Sequence, residues 1–246
     1  MRYLIVSDIH ANWEALEAVL DASAGRYDQV VCCGDLIGYG PDPNAVVDWT
    51  RAHVLRVIRG NHDRGSVGMD DLEWFNPVAR AAALWTQQEL TPVNADYVRA
   101  LPRGPMAIGN WQISHGSPLD EDGYIVSATD AAFVFPYVAS DLTFFGHSHL
   151  QGGFTWSRLV ARSLGRPKVQ RDPLAVRLEE NTAYLINPGS VGQPRDQDTR
   201  AAYVLYDEDA CCLYFARVTY DVDKVQAKIR RAGLPEGLAN RLGLGR

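Results

Sequence analysis

The sequence predicts an α/β protein in which two mixed β-sheets stack on each other and helices flank them. The first quarter of the chain alternates between strand-like and helix-like segments, the pattern of a parallel sheet with covering helices. The second half is a series of short apolar segments typical of strands, which indicates a second sheet rather than more βαβ units. No repeat or long linker separates the halves, so we expect a single domain over residues 1–246.

The N-terminal elements follow from hydrophobic periodicity and from a capping residue. The segment NWEALEAVLDAS places Leu16, Val19 and Leu20 on one helical stripe, and Asn12 is the expected N-cap. The order β-α-β-α-β is predicted for RYLIVS, NWEALEAVLDAS, DQVVCC, NAVVDWTRAH and VLRVIR. Two helices are expected next, in PVARAAALWTQQEL and NADYVRAL.

The remaining elements are mostly strands. Strands are predicted for MAIGNWQIS, LTFFG, GFTW, LAVRLE, TAYLIN, AAYVLYD and CCLYFARVTYD, and a late helix for DKVQAKIRRAG. Residues 234–246 are a candidate for a short closing helix with a mobile end.

Composition argues against several classes of function. The formal net charge is −6, so a broad electrostatic contact with nucleic acid is not expected. No apolar run approaches the roughly 18 residues that a membrane span needs. The cysteines form two adjacent pairs in apolar stretches, Cys32-Cys33 and Cys211-Cys212. We therefore expect buried, reduced thiols and a cytoplasmic protein.

Asp, Asn and His side chains follow five of the predicted strands. They stand at Asp8 and His10, at Asp35, at Asn61, His62 and Asp63, at His115, and at His147 and His149. Because ligands bind at the carboxyl ends of strands in open α/β sheets, we expect these side chains to converge. Of the six histidines in the chain, only His53 falls outside these positions.

These residue types together indicate a metal site. Imidazole, carboxylate and amide oxygen form the ligand set of borderline ions such as Mn, Fe, Zn, Ni or Co. His147 and His149 are two residues apart, so both leave their strand end on the same side. Taken singly, each fragment also fits an ordinary turn or a hydrogen-bonded surface pair, and it is the set of five that favours metal binding.

The motifs SDIHAN, GDLIGYG, GNHD, SHG and GHSH, in this order, resemble the five sequence blocks of the calcineurin-like metallophosphoesterase superfamily. This resemblance extends over residues 1 to about 155. The segment INPGSVGQPRD resembles a further block of the small bacterial and archaeal phosphodiesterase branch, whose members are often described as diadenosine-tetraphosphatase-like. The resemblance implies a four-layer α/β/β/α sandwich, which agrees with the element order.

The resemblance also implies roles for individual residues. Two divalent metal ions would be bridged by Asp35. One metal site would be completed by Asp8, His10 and His149, and the other by Asn61, His115 and His147. Asn61 and His62 would form the catalytic pair, with His62 facing the substrate as a phosphate contact or proton donor.

The implied activity is hydrolysis of a phosphoric ester bond, with a hydroxide between the two metals as the nucleophile. We expect a phosphodiesterase or a dinucleotide polyphosphate hydrolase that uses manganese or a similar ion and acts on a small phosphate ester or nucleotide. The alternative is a catalytically silent metal-binding scaffold or regulatory partner. A nuclease would require a basic groove, which the acidic charge balance does not favour.

One sequence block of this chain differs from the corresponding block in the protein phosphatases of the superfamily. Those enzymes carry a second Asp followed by Arg after the GD motif, where this chain has Gly38 and Tyr39. This difference favours a small-molecule substrate, and Tyr39 is a candidate to stack on its base or aryl group. Asp42 and Asp63 are both candidates for the carboxylate that supports His62.

A phosphate-binding arginine must then come from elsewhere in the chain. Arg195 and Arg200 are the candidates, since the guanidinium fork suits phosphate. The alternative for both is a surface salt bridge with Asp196 or Asp198.

Overall fold

Two six-stranded mixed sheets form the centre of the molecule in a computed structural model that describes residues 1–165 and 173–246. In spatial order the first sheet contains β3 (Val54–Val57), β2 (Gln29–Cys32), β1 (Arg2–Val6), β11 (Ala201–Asp207), β12 (Cys212–Val218) and β9 (Leu174–Arg177). The second contains β4 (Met106–Ile108), β5 (Trp111–Ser114), β6 (Leu142–Phe145), β10 (Ala183–Asn187), β7 (Gly152–Ser157) and β8 (Val160–Gly165).

Each sheet has a parallel half from which the site is built. In the first sheet β1, β2 and β3 are parallel, and β11 joins β1 in the antiparallel sense. In the second sheet β5, β6 and β10 are parallel, while β4, β7 and β8 are antiparallel additions. The carboxyl ends of neighbouring parallel strands lie at one edge of their sheet, where polar loops can meet.

Helices cover the outer faces of the sheets. They are α1 (Trp13–Ser23), α2 (Pro43–His53), α3 (Asn61–Ser66), α4 (Pro77–Glu89), α5 (Pro92–Arg99), α6 (Ala128–Val134), α7 (Val222–Arg231) and α8 (Glu236–Leu242), with 3₁₀ turns at Leu72–Trp74 and Phe135–Tyr137. The predicted N-cap of α1 is confirmed, because the Asn12 side chain accepts a hydrogen bond from the Ala15 amide at 3.1 Å.

The side chains of β1 point alternately into two hydrophobic cores, one on each face of the strand. Tyr3 and Ile5 pack between the sheets, against residues of the second sheet such as Phe144. Leu4 packs on the other face with Leu16 of α1. Since a strand alternates its side chains with a period of two, one short segment serves both layers. The predicted α/β class, with two stacked mixed sheets flanked by helices, is confirmed.

Some predictions differ from the structure in detail. Helix α6 and strand β8 were not predicted, because Val160–Gly165 is largely exposed and lacks a clear apolar pattern. The expectation of buried thiols holds for Cys32 and Cys33 but is wrong for Cys211, which is exposed in the turn before β12. Within the described residues, no helix has the length and apolar character needed to cross a membrane.

Candidate active site

The side chains predicted to bind metal meet at the carboxyl ends of five strands. Asp8, Asp35 and Asn61 follow β1, β2 and β3 in the first sheet, and His115 and His147 follow β5 and β6 in the second. Candidate ligand atoms within 4.8 Å of one another form two groups, one of Asp8, His10, Asp35 and His149 and one of Asp35, His115 and His147. The six residues of these two groups are buried, and the structure therefore brings distant parts of the chain to one centre.

Asp35 stands where the two groups meet. Its Oδ2 atom lies 3.4 Å from His115 Nε2 and 3.6 Å from His10 Nε2. Its Oδ1 atom accepts a hydrogen bond from the His62 amide at 2.9 Å. Asn61 Oδ1 lies 3.2 Å from His115 Nε2, which brings Asn61 to the same group. One carboxylate thus faces imidazoles from both sheets.

The backbone orients the imidazole rings. The Nδ1 atoms of His10, His115 and His149 lie 3.1, 2.9 and 2.6 Å from the carbonyl oxygens of Ile37, Cys33 and Gln193. A neutral ring that donates from Nδ1 to a carbonyl has an unprotonated Nε2, which is the form that binds a metal ion. His147 is reversed, with its Nε2 atom 3.1 Å from the Asp122 carbonyl, so Nδ1 is its free nitrogen.

The loops that carry these residues hold a rare backbone conformation. Positive φ angles occur at Asp8 (52°), His10 (50°), Asp35 (53°), His147 (64°) and His149 (59°). Left-handed conformations are disfavoured for residues with a Cβ and persist where surrounding contacts enforce them. Five of the predicted ligands share this strain, which is typical of a functional site.

Burial and neighbouring charges set the protonation of the cluster. Burial holds the pKa of His10 and of His149 well below the usual value and lowers the pKa of His147 to about 3. Burial disfavours the charged forms of both Asp35 and His115, but their mutual attraction outweighs it: the pKa of Asp35 lies well below its usual range, and that of His115 is raised to about 10. At pH 7 the neutral imidazoles of His10, His147 and His149 therefore lie beside an Asp35–His115 ion pair.

Asp8, the second carboxylate of the cluster, shows whether the site is suited to a cation. Burial raises the pKa of Asp8 to about 7, because it outweighs the attraction of His115 and the neighbouring Asp35 carboxylate adds repulsion. The Oδ2 atoms of Asp8 and Asp35 are buried and accept no hydrogen bond from any residue in 1–165 or 173–246. Orphaned carboxylate oxygens beside neutral imidazoles are costly unless a cation satisfies them, so the residues fit divalent metal ions.

His62 lies beside the cluster in an aromatic surrounding. Its ring centroid is 4.2 Å from that of Tyr39 and 4.9 Å from that of Phe75, and burial lowers its pKa to about 4. Its Nδ1 atom has no hydrogen-bond partner among the described residues. This side chain borders the open cleft, as a substrate-facing residue must.

Neither carboxylate proposed to support His62 reaches its ring. Asp63 accepts hydrogen bonds from the Gly60 and Ile37 amides at 2.9 and 3.2 Å, so it fixes the start of α3 instead. Asp42 binds the Lys228 ammonium group at 2.7 Å. The prediction that Asp42 or Asp63 supports the His62 ring is therefore wrong. Asp63 is bound by backbone amides, and Asp42 is bound by the Lys228 ammonium group.

A polar cleft of about 200 Å³ opens over the cluster. It is lined by predicted residues, among them Asp35, Asn61, His62, Tyr39 and Arg195, and by three residues that sequence reasoning missed: Asn76, Tyr124 and Arg241. Tyr124 stacks on His147 with ring centroids 4.1 Å apart. Arg200 is not among the lining residues of this cleft; Asp198 holds its guanidinium group at 2.6 Å, in the salt bridge considered as its alternative.

Residues of the INPGSVGQPRD segment form hydrogen bonds with the loops that carry the candidate metal ligands. Asn187 donates hydrogen bonds to the Gly146 carbonyl at 2.9 Å and to Ser148 Oγ at 3.0 Å, which braces the loop of His147 and His149. The Ser190 hydroxyl donates to the Asp8 carbonyl at 2.8 Å. These polar residues were not predicted individually, and the quoted motif was the only signal that pointed to them.

Comparisons with known proteins agree on one family. A family model for the calcineurin-like phosphoesterase superfamily domain matches residues 1–210. An uncharacterised protein of Methanocaldococcus jannaschii is 37% identical over 98% of this chain and 97% of its own length. A metallophosphoesterase from Sphaerobacter thermophilus is 38% identical, with a TM-score of 0.86 over 100% of this chain and 99% of its own. A hypothetical protein from Pyrococcus horikoshii, 20% identical, shares the fold with a TM-score of 0.76 over 100% of this chain and 98% of its own.

Proposed function

This chain belongs to the calcineurin-like phosphoesterase superfamily, and we propose that it is a metal-dependent phosphodiesterase or dinucleotide polyphosphate hydrolase. The observation that carries this proposal is the convergence of Asp35 with imidazoles from both sheets at the floor of an open polar cleft. A phosphate ester entering that cleft would meet the candidate metal ligands and His62 together.

The candidate ligands would hold two divalent metal ions that share Asp35. Asp8, His10 and His149 lie on one side of that carboxylate, and Asn61, His115 and His147 on the other. Such ions would polarise the phosphoryl oxygens and make water a stronger acid at neutral pH. Because only Asp8 and Asp35 offer negative charge, the loaded site would remain cationic and attract an anionic substrate within an acidic protein.

His62 would deliver a proton to the leaving oxygen. Its buried ring has a pKa of about 4 because burial disfavours its charged form. An anionic phosphate in the cleft raises that pKa by Coulomb attraction, and the protonated ring then matches the charge that develops on the leaving group. The ring packs against Tyr39 and Phe75, which restricts its orientation.

Small molecules are the expected substrates. The cleft over the candidate ligands has a volume of about 200 Å³, which suits part of a small phosphate ester rather than a protein surface. The formal net charge of −6 does not favour a long nucleic acid, and Gly38 and Tyr39 stand where protein phosphatases have Asp and Arg. The INPGSVGQPRD segment supports the dinucleotide polyphosphate class through its resemblance to the phosphodiesterase branch.

The test is hydrolysis of bis-p-nitrophenyl phosphate with added Mn²⁺, followed by phosphate release from dinucleoside polyphosphates, cyclic nucleotides and phosphomonoesters. We expect diester hydrolysis that EDTA abolishes and that Mn²⁺ restores. A protein that binds two metal ions yet hydrolyses none of these substrates would be the metal-binding scaffold instead. The placement of His62 at the cleft argues for turnover, since a scaffold has no use for a buried imidazole that faces the substrate space.

A further inference from the structure

Two arginines from distant parts of the chain flank one tyrosine at the wall of the cleft. The guanidinium carbon of Arg195 lies 5.9 Å from the centre of the Tyr39 ring, and that of Arg241 lies 5.8 Å from it. Both side chains line the same cleft as His62 and His149. Tyr39 is 6% exposed, and its ring contacts those of His10 and His62, so it connects the arginines to the metal cluster.

Among residues 1–165 and 173–246, no Asp or Glu side chain forms a salt bridge with Arg195 or Arg241. The Nε atom of Arg241 donates a hydrogen bond to the terminal oxygen of Arg246 instead, which leaves the other nitrogens of its guanidinium group for a ligand. Arg195 donates to Gln193 Oε1 at 3.1 Å, but its buried Nε atom has no hydrogen-bond partner among those residues. Burial, followed by repulsion from Arg195, lowers the pKa of Arg241. Two partly buried like charges with no Asp or Glu side chain between them repel each other, and an anion that joins them relieves this repulsion.

The position of Arg241 is set by a packed helix. Leu238, Ala239 and Leu242 of α8 are buried against α7 and against the cluster that contains Tyr39. The Gln197 amide donates to the Gly245 carbonyl at 2.9 Å, which ties the chain after α8 to the loop that carries Arg195. Both guanidinium groups are therefore presented by ordered backbone, which lowers the entropy cost of binding a ligand between them.

We propose that Arg195 and Arg241 form a second anion subsite that binds a non-scissile phosphate of the substrate. The inference rests on the proposed phosphoesterase function and adds a specificity determinant to it. Planar guanidinium groups bind phosphate oxygens through two donors at once, so a pair of them suits a phosphate that carries further charge. The subsite favours substrates with at least two linked phosphates, such as dinucleoside polyphosphates, over diesters that carry one.

The test compares two substrates in the full-length protein. Arg241→Gln should lower kcat/KM for diadenosine tetraphosphate at least about tenfold, because a charge-assisted contact to the non-scissile phosphate is lost. The kcat/KM for bis-p-nitrophenyl phosphate, which has a single phosphate, should fall by a smaller factor, so that the ratio of the two values changes at least about fivefold. Arg231→Gln, on the exposed face of α7, is the matched control and should change neither value. Equal losses for both substrates, or no loss for either, would overturn the subsite.

A binding measurement separates this inference from the proposed function. Calorimetric titration of tripolyphosphate into EDTA-treated, dialysed protein needs no turnover and no metal. We expect Arg195→Gln and Arg241→Gln to weaken binding at least about fivefold relative to wild type and to Arg231→Gln. If the proteins show this pattern of binding but wild type hydrolyses none of the substrates, the proposed enzymatic function is refuted and the anion subsite is supported. Tripolyphosphate binding that is undetectable in wild type, or unchanged in both variants, would refute the subsite alone.

Discussion

The Nε2 atoms of His10 and His149 lie 3.1 Å apart in the buried centre of the site. Both rings use Nδ1 to contact a backbone carbonyl, so the two Nε2 lone pairs face each other. Burial keeps the pKa of each ring well below its usual value, and neither ring gains a proton readily at neutral pH. Two facing lone pairs repel unless a cation lies between or beside them, so this contact is best explained as part of a metal site.

Removing Asp35 should abolish metal binding. Asp35→Ala deletes the carboxylate that faces both groups of ligands, so we expect the metal content, measured by mass spectrometry, to fall from two ions per chain to fewer than one. Hydrolysis should be lost with it. Asp48→Ala, at an exposed position of α2, is the matched control and should retain both metals. Full metal occupancy in Asp35→Ala would contradict the shared-ligand assignment.

Removing His62 should separate catalysis from metal binding. His62→Ala deletes a ring that lies outside both groups of candidate ligands, and we expect metal content to remain unchanged. The kcat should fall about 10²–10⁴-fold through loss of the proton donor. His53→Ala, an exposed histidine of α2, serves as the control. A normal kcat in His62→Ala would exclude the proposed role.

Gly60→Ala should disturb the centre without removing any ligand. A Cβ atom at this position would lie 2.1 Å from Asp35 Oδ1 and 2.7 Å from the Asp35 amide nitrogen, so the carboxylate must shift. We expect lower metal affinity, measured by titration with Mn²⁺, in a protein that still folds. Gly237→Ala in α8, where a Cβ meets nothing within 4 Å, is the control. Equal affinities in the two variants would show that Asp35 moves freely.

A partly buried ion-pair network centred on Lys228 should hold helix α7 on the rest of the protein. Lys228 of α7 lies 2.8 Å from Glu14 and 2.7 Å from Asp42. Lys228→Met leaves the Glu14 carboxylate, 4% exposed, with Lys224 as its remaining partner. We expect a loss of about 2 kcal/mol in the free energy of unfolding, less than for a fully buried pair. Urea denaturation of this variant beside Arg231→Met would measure it, and equal stabilities would contradict the prediction.

The Glu14 carboxylate should make the free energy of unfolding depend on pH. Burial raises the pKa of Glu14, but the ammonium groups of Lys228 and Lys224 outweigh it and bring that pKa below its usual value. A carboxylate with a lowered pKa in the folded state stabilises the fold above its unfolded pKa, and the contribution is lost as pH falls through the folded value. Between pH 6 and pH 3, Glu14→Gln should therefore lose less stability than wild type. Parallel pH profiles of the two proteins would refute this.

The sequence alone predicted the fold class and the side chains that converge at the candidate metal site, because both follow from local rules. Asp8, Asp35 and His115 stand directly after strands, and parallel strands bring their carboxyl ends to one edge whatever the distance between them in the chain. His147 and His149 lie beyond the end of β6 with left-handed backbone, so the loop after the strand, rather than strand alternation, brings both rings to the site. The family resemblance drew on those same positions, which is why sequence and structure agree there.

Only the tertiary structure decided which other side chains reach the cleft. Arg241 arrives there because α8 packs on α7 and Tyr39, and Tyr124 because its loop brings it over His147. Nothing in their local sequence marks them, since long-range packing has no short periodicity. The partners of Asp63 and Asp42 were likewise settled by distances that neighbouring positions in the chain do not reveal. Local sequence patterns predict the helix or strand on which a residue lies. The packing of helices and strands against one another determines which residues its side chain contacts.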